Sequence, residues 1–250
     1  MSISFLTART GLIAQQQGLN IYANNIANVN TVGFKPLRPS FAECIYTLQT
    51  PDGGQPRREQ FQTGHGQYVM KTDFMWSESS FVASDQPLDF ALPNDGFFMT
   101  LDRNGNTFLT RDGAFGISFT GENWELVNGF GDFVLDYDMN RITVPFEVDA
   151  NGNVTVDIDY GEVERMIGVF SVDNNWGLEQ SANNRFIVTD RSGAAVANPE
   201  LDKVRCALEM SATDIAGDMV RIIETQRSYQ LNARVLRISD ELMTTINNLR

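Results

Sequence analysis

The last forty residues constrain this chain more than any other feature. No proline interrupts Ser211 to Arg250, and Ile215, Ile222, Tyr229, Leu236 and Met243 recur every seven residues, flanked by Met219, Ala233, Leu242, Ile246 and Leu249. The Ser211-Ala-Thr-Asp214 stretch matches a capping box, with a hydroxyl at the cap and a carboxylate reaching back. Together these predict a helix of about 35 residues, about 50 Å long at 1.5 Å per residue. A globule built from 250 residues does not cover such a helix. The helix must project and bury its stripe on something else.

A second helix is expected at the other end. Phe5, Leu12, Leu19 and Ile26 repeat every seven residues, with Ala8, Tyr22 and Val29 on a companion stripe. Gly11 and Gly18 are also seven apart, and Asn25 continues their line. A helix-interior glycine costs about 1 kcal/mol against alanine, so two in register suggest close approach of another helix backbone. Four asparagines, Asn24, Asn25, Asn28 and Asn30, crowd into residues 23–30. Asn24 and Asn28 share a helical face. Their uncharged amides both donate and accept, which suits fixing register between packed helices. The same stretch also ends the helix: Asn28 to Gly33 unwinds it, Gly33 supplies a turn, and Pro36 forbids resumption.

The middle has a different period. Alternating, aromatic-rich runs such as FFMTL, TFLT, FGISF, MIGVFSV and RFIVT are separated by Asn-Gly and Asp-Gly pairs. This predicts an α+β protein: long N- and C-terminal helices (1–35 and 206–250) form one discontinuous, coiled-coil-like unit. An extended linker or arm follows the first helix (36–67), and a mostly-β domain (68–205) is inserted. Arg9, Lys35 and Arg38 against Glu43 leave residues 1–50 at +2, and five arginines against six acids leave 206–250 at −1. Of the net charge of −13, the centre therefore carries −14. A centre so acidic repels phosphate backbones, which argues against nucleic acid as a partner. No apolar run reaches membrane-spanning length, and MSISFLTART lacks a signal-peptide pattern. Cys44 and Cys206, with no CxxC, are expected as free thiols.

Catalytic signatures are missing, so no catalytic, cofactor-binding or metal residue is assigned. His65 stands alone in a loop-like TGHGQ, and GxSxG, Walker and GxGxxG patterns are absent. DRNGN (102–106) and DANGN (149–153) place glycine at the fourth position rather than the sixth of a calcium loop, and read as turns. Asp136 with Asp138, Asp157 with Asp159, and Glu162 with Glu164 stand two apart, as on one face of a strand. They read as a solvated acidic face rather than a hydrolase pair.

ANNIANVNTVGFK (23–35) resembles the signature near the N-terminus of bacterial flagellar rod and hook proteins. DQPLDFALPNDGFF (85–98), FLTRDGAF (108–115) and ALEMSATDIAGDMVRIIETQRSYQLNARVLRISDELM continue that resemblance in order, and ETQRSYQLNAR is similar to the distal-rod type. Departures occur at Asn94, where the family has glycine, at Ala212 and at Arg205-Cys206, where it has Gln-Gly. The resemblance implies a non-enzymatic rod subunit in the basal body, outside the cytoplasm. It implies terminal helices packed side by side in a tube that transmits torque and lines the export channel. Its expected partners are copies of itself, other rod proteins, the hook protein and the flagellar export apparatus, with no cofactor and no membrane insertion. The packing residues expected are Leu12, Leu19, Asn24, Asn25, Ile26 and Asn28 on the first helix, and Ile222, Gln226, Tyr229, Asn232 and Leu236 on the last. A proximal-rod paralogue is the near alternative; a β-sheet carbohydrate- or surface-binding module on a helical stalk is the alternative from another class.

Overall fold

The computed structural model describes residues 3–49, 61–77, 79–121, 123–145, 147–148, 154–155 and 158–249. DANGN, Asp157 and most of the 50–66 stretch lie outside them. Three α-helices occur there: α1 (Ile3–Ala27), α2 (Tyr160–Met166) and α3 (Ile215–Asn248). The chain divides into two compact units, one from residues 1–27, 36–75 and 213–250, the other from 28–35 and 76–212.

In the first unit α3 runs for 34 residues, about 51 Å of helix. Its cap is Asp214, whose carboxylate accepts from Gly217 N at 3.1 Å. The capping-box reading, which put the cap at Ser211, is corrected. Ala212 N–H is committed to the Phe34 carbonyl at 3.0 Å. That keeps the chain extended before Asp214, and an aspartate caps as well as a serine. Helix α1 ends at Ala27, Gly33 takes φ +64°, and Pro36 leads into β1 (Leu37–Glu43). Within the segment expected as an arm lie β1, β2 (Tyr46–Gln49) and β3 (Phe61–Gly64), followed by β4 (Gln67–Phe74). β1 pairs antiparallel with β4, with a bulge at Ser40/Phe41, and β2 pairs with β3. The turn after β3 is fastened to α1: Thr7 Oγ1 donates to Gly64 O and Thr10 Oγ1 to His65 O, at 3.3 and 3.1 Å. His65 is a loop residue, as expected.

The second unit is a β domain around strand Phe97–Leu101, in a sheet of ten strands among the described residues. Successive side chains of a strand point to opposite faces, and here both faces are covered. Phe97 packs edge-on to Trp76 at 5.5 Å and near Phe186 at 5.9 Å, while Phe98 packs edge-on to Phe115 at 5.1 Å. Beyond Phe98 the core continues through Leu88, Phe90, Leu126, Ile167 and Val169. DRNGN is the expected turn, with Asp102 N donating to Asn106 O at 2.9 Å and Gly105 at φ +85°.

Two acidic pairs are not on strand faces. Glu162 and Glu164 ride on α2, whose cap is Asp159, accepting from Gly161 N at 2.9 Å and Glu162 N at 3.3 Å. Asp136 opens a turn: its carboxylate accepts from Tyr137 N at 2.6 Å and its carbonyl from Met139 N at 3.0 Å. In both places a short side-chain acceptor captures neighbouring amides and competes with strand pairing. Cys44 and Cys206 are free thiols.

Candidate functional site

Helices α1 and α3 meet along a seam made of small and polar groups. Ser239 Oγ donates to Ser4 Oγ at 3.2 Å. A Cβ on Gly11 would stand 2.8 Å from Asn232 Nδ2. One on Gly18 would stand 3.0 Å from Phe41 Cζ and 4.0 Å from Thr225 Cγ2. Asn25 Nδ2 donates to Asp218 Oδ2 at 3.3 Å. The α1 members fall at 4, 11, 18 and 25, the α3 members at 239, 232, 225 and 218. Both advance in steps of seven, in opposite senses, so the helices run antiparallel in heptad register. The glycine line does mark close approach, although what approaches is an amide at Gly11 and a ring at Gly18 rather than a bare helix backbone.

The Asn25 end of the seam is the most tightly bonded. Asn25 is 1% exposed. Its Nδ2 donates to Leu37 O at 2.8 Å and its Oδ1 accepts from Leu37 N at 3.0 Å. The amide thus behaves toward β1 as a neighbouring strand residue would, using both its donor and its acceptor. Asp218, also buried, keeps Arg221 Nη1 at 3.2 Å, and the Arg221 guanidinium lies 5.9 Å from the Tyr22 ring. Burial pushes the Tyr22 hydroxyl above its usual pKa, with Arg221 acting against that.

On α3 the buried residues are Asp218, Thr225 and Ser239, so its apolar residues are left outside the seam. Leu231, Val235, Ile238, Leu242 and Ile246 form one exposed stripe on α3; Leu242 and Ile246 are 58% and 62% exposed. Leu12, Leu19 and Ile26 of α1 remain half-buried. Since Ser4 meets Ser239, the rest of α3 runs past the start of α1 by about 14 Å. The usual amphipathic arrangement is inverted, and an apolar stripe of this length on a surface marks an interaction site.

The expected packing residues divide accordingly. Asn25 is buried; Leu12, Leu19, Ile26, Ile222, Asn232 and Leu236 are half-buried; Asn24, Gln226 and Tyr229 are exposed. Asn28 is half-buried in the turn after α1, where its Oδ1 accepts from Thr31 Oγ1 at 3.1 Å. Of these, the seam brings together Asn25 and Asn232 with their partners. The exposed stripe was only half legible, because Leu231, Val235 and Ile238 follow a different line from the Ile222–Leu236 heptad.

Three segments of sequence signature converge in the second unit. Lys35 Nζ lies 2.7 Å from Glu209 Oε1 and donates to Ser77 O at 2.9 Å, and Arg111 Nη1 lies 3.4 Å from Glu209 Oε2. All three side chains are nearly fully buried. Burial pushes the Lys35 ammonium below its usual pKa against the pull of Glu209, and lowers Arg111 similarly. Beside them, Gly33 N donates to Glu209 O at 2.8 Å, and a Cβ on Gly33 would meet the Arg111 carbonyl oxygen at 2.6 Å. GFK, TRDG and LEMS are therefore one buried ionic joint. Residues so far apart in the chain give no local signal of pairing.

Among the described residues, no group of three or more His, Cys, Asp and Glu could hold a metal ion, and no helix is long and apolar enough to cross a membrane. Residues 5–35 match the family described as "Flagella basal body rod protein", residues 205–249 "Flagellar basal body rod FlgEFG protein C-terminal", and residues 91–164 "Flagellar hook protein FlgE/F/G D1 domain". The chain is 33% identical to the flagellar basal-body rod protein FlgG of Borreliella burgdorferi, over 98% of this chain and 97% of that one. It is 31% identical to the FlgG of Bacillus subtilis, over 99% and 98%. To the flagellar hook-basal body complex protein FlhP of the same bacterium it is 29% identical, over 99% of each.

Proposed function

The chain belongs to the flagellar basal-body rod family, and on that premise we propose that it is a structural, non-catalytic subunit of the distal rod. Many copies assemble into a hollow tube that transmits torque and lines the export channel, in contact with other rod proteins, the hook protein and the export apparatus. The observation that carries this reading is the inverted amphipathicity of α3, which buries Asp218, Thr225 and Ser239 and exposes its apolar stripe. A polar heptad seam holds the two helices of one copy together and reserves the apolar stripe of α3 for its neighbours. Packing between copies supplies stiffness, since removing Leu- and Ile-sized side chains from water stabilises by about 1.5–3 kcal/mol each. The two FlgG relatives, similar over nearly their whole length, support the distal-rod type over a proximal-rod paralogue.

Quantitative mass spectrometry of purified hook–basal bodies tests the proposal. Many copies of this chain are expected. A few copies would reassign it to the proximal rod, and absence would overturn the reading.

A further inference from the structure

The second unit carries a cavity of about 420 Å³ lined by Asp95, Ser171, Asp173, Asn175, Trp176 and Leu201 among others. Its volume lies within the range of small-ligand sites. Trp176 is 63% exposed, unusual for the largest apolar side chain. It is nevertheless held on a fixed loop. Asn174 Oδ1 accepts from Trp176 N at 3.1 Å, Asn174 Nδ2 donates to Arg191 O at 3.1 Å, and Asn174 N donates to Ser192 O at 3.1 Å. Behind the loop, a Cβ on Gly177 would meet Ser192 N at 2.4 Å, so this backbone approach requires glycine. An aromatic face is thus presented to solvent on a preorganised support, which lowers the ordering cost of binding.

The polar groups beside it combine acceptors and donors. Asn175 Oδ1 is buried and has no hydrogen-bond partner, a state that costs free energy unless something donates to it. Asp173 and Asp95 are exposed, and Ser171 is half-buried. The charge balance separates two classes of ligand. Asp95 Oδ1 lies 3.8 Å from Arg111 Nη2, so the two buried cations Lys35 and Arg111 are already matched by Glu209 and Asp95. Only Asp173 remains uncompensated, too little for a site selecting a multiply charged cation. A ligand with an apolar C–H face and several hydroxyls suits the accessible groups: it stacks on Trp176 and donates to Asp173, with Ser171 beside them.

We propose that this cavity is a saccharide subsite that takes one uncharged pyranose of a glycan. This inference does not depend on the rod reading, because a subunit excluded from the rod would keep the cavity. The test is calorimetric titration of the full chain with N-acetylglucosamine tetrasaccharide, with maltotetraose and with oligo-arginine as comparators. Saturable binding of at least one of the sugars is expected, weakened roughly tenfold or more in Trp176→Ala, as for a central aromatic anchor. Asp173→Asn, which keeps shape and removes charge, should weaken sugar binding by a smaller factor while leaving the melting temperature in place. Sugar binding that persists unchanged in Trp176→Ala would overturn the proposal. So would binding of oligo-arginine with no response to either sugar, or no response to any of the three.

Discussion

Replacing Asn25 tests the seam at its most tightly bonded point. The side chain makes three hydrogen bonds, at 2.8 and 3.0 Å to the Leu37 backbone and 3.3 Å to Asp218. Asn25 is 1% exposed, and Asn25→Ala leaves the N–H and C=O of half-buried Leu37 without the partner they have in the parent. Asp218 retains Arg221. Each stranded group costs about 1–3 kcal/mol, so the two together give an expected loss of about 2–6 kcal/mol. Asn25→Asp should cost more at neutral pH, because it removes the donor to Leu37 O and places a second carboxylate beside Asp218. At an effective dielectric of about 20, two charges at that distance repel by about 5 kcal/mol. Protonation of one of the two relieves this, so a carboxyl pKa is raised in the folded state. The penalty is then full above that raised pKa and falls away as pH drops from it to the ordinary carboxyl value. Urea denaturation followed by helix circular dichroism measures the cost, and amide hydrogen exchange at Leu37 localises it. If Asn25→Ala unfolds within 0.5 kcal/mol of the parent, a threshold set by ordinary surface substitutions of about that size, and Leu37 stays protected, the amide does not lock the seam.

Three further outcomes follow from single positions. Cys206 takes φ +55°; Cys206→Gly should raise stability by about 0.5–1 kcal/mol in denaturant titration, since glycine removes the left-handed strain. Gly33→Ala should destabilise the second unit by about 2 kcal/mol or more, read as a lowered melting temperature, because it combines φ +64° with a carbonyl oxygen 2.6 Å from the new Cβ. Burial raises the Asp112 carboxyl above its usual pKa, so its ionised form costs stability above that raised value; Asp112→Asn should gain on the parent as pH climbs from 4 to 7, and a gain independent of pH would contradict this assignment.

Much of the architecture was readable because it rests on periodicity. The long C-terminal helix follows from an uninterrupted seven-residue repeat, and the β middle from alternation punctuated by Asn-Gly and Asp-Gly. The glycine line at Gly11 and Gly18, with Asn25, pointed correctly to a close approach. Of its other half only Asn232 was among the expected packing residues, because Asp218, Thr225 and Ser239 share with it a spacing of seven and no hydrophobic signal. The apolar heptad points instead to Ile222 and Leu236, which are half-buried beside the seam, while Asp218, Thr225 and Ser239 carry no such signal. Helix α2 was missed because seven residues carry too little periodicity to outweigh the apparent alternation around it. The Lys35–Glu209–Arg111 joint depends on three distant segments, and only three-dimensional closure brings them together.

The central claim is that the polar seam leaves the α3 stripe free for other copies. Its most direct measurement is the copy number in purified hook–basal bodies of an Ile238→Asp/Leu242→Asp variant. Both positions are exposed in the single chain, at 50% and 58%, so the variant should fold with an unchanged circular dichroism spectrum. The account predicts a folded, exported subunit that is absent from the rod. Incorporation at the parent copy number would contradict it.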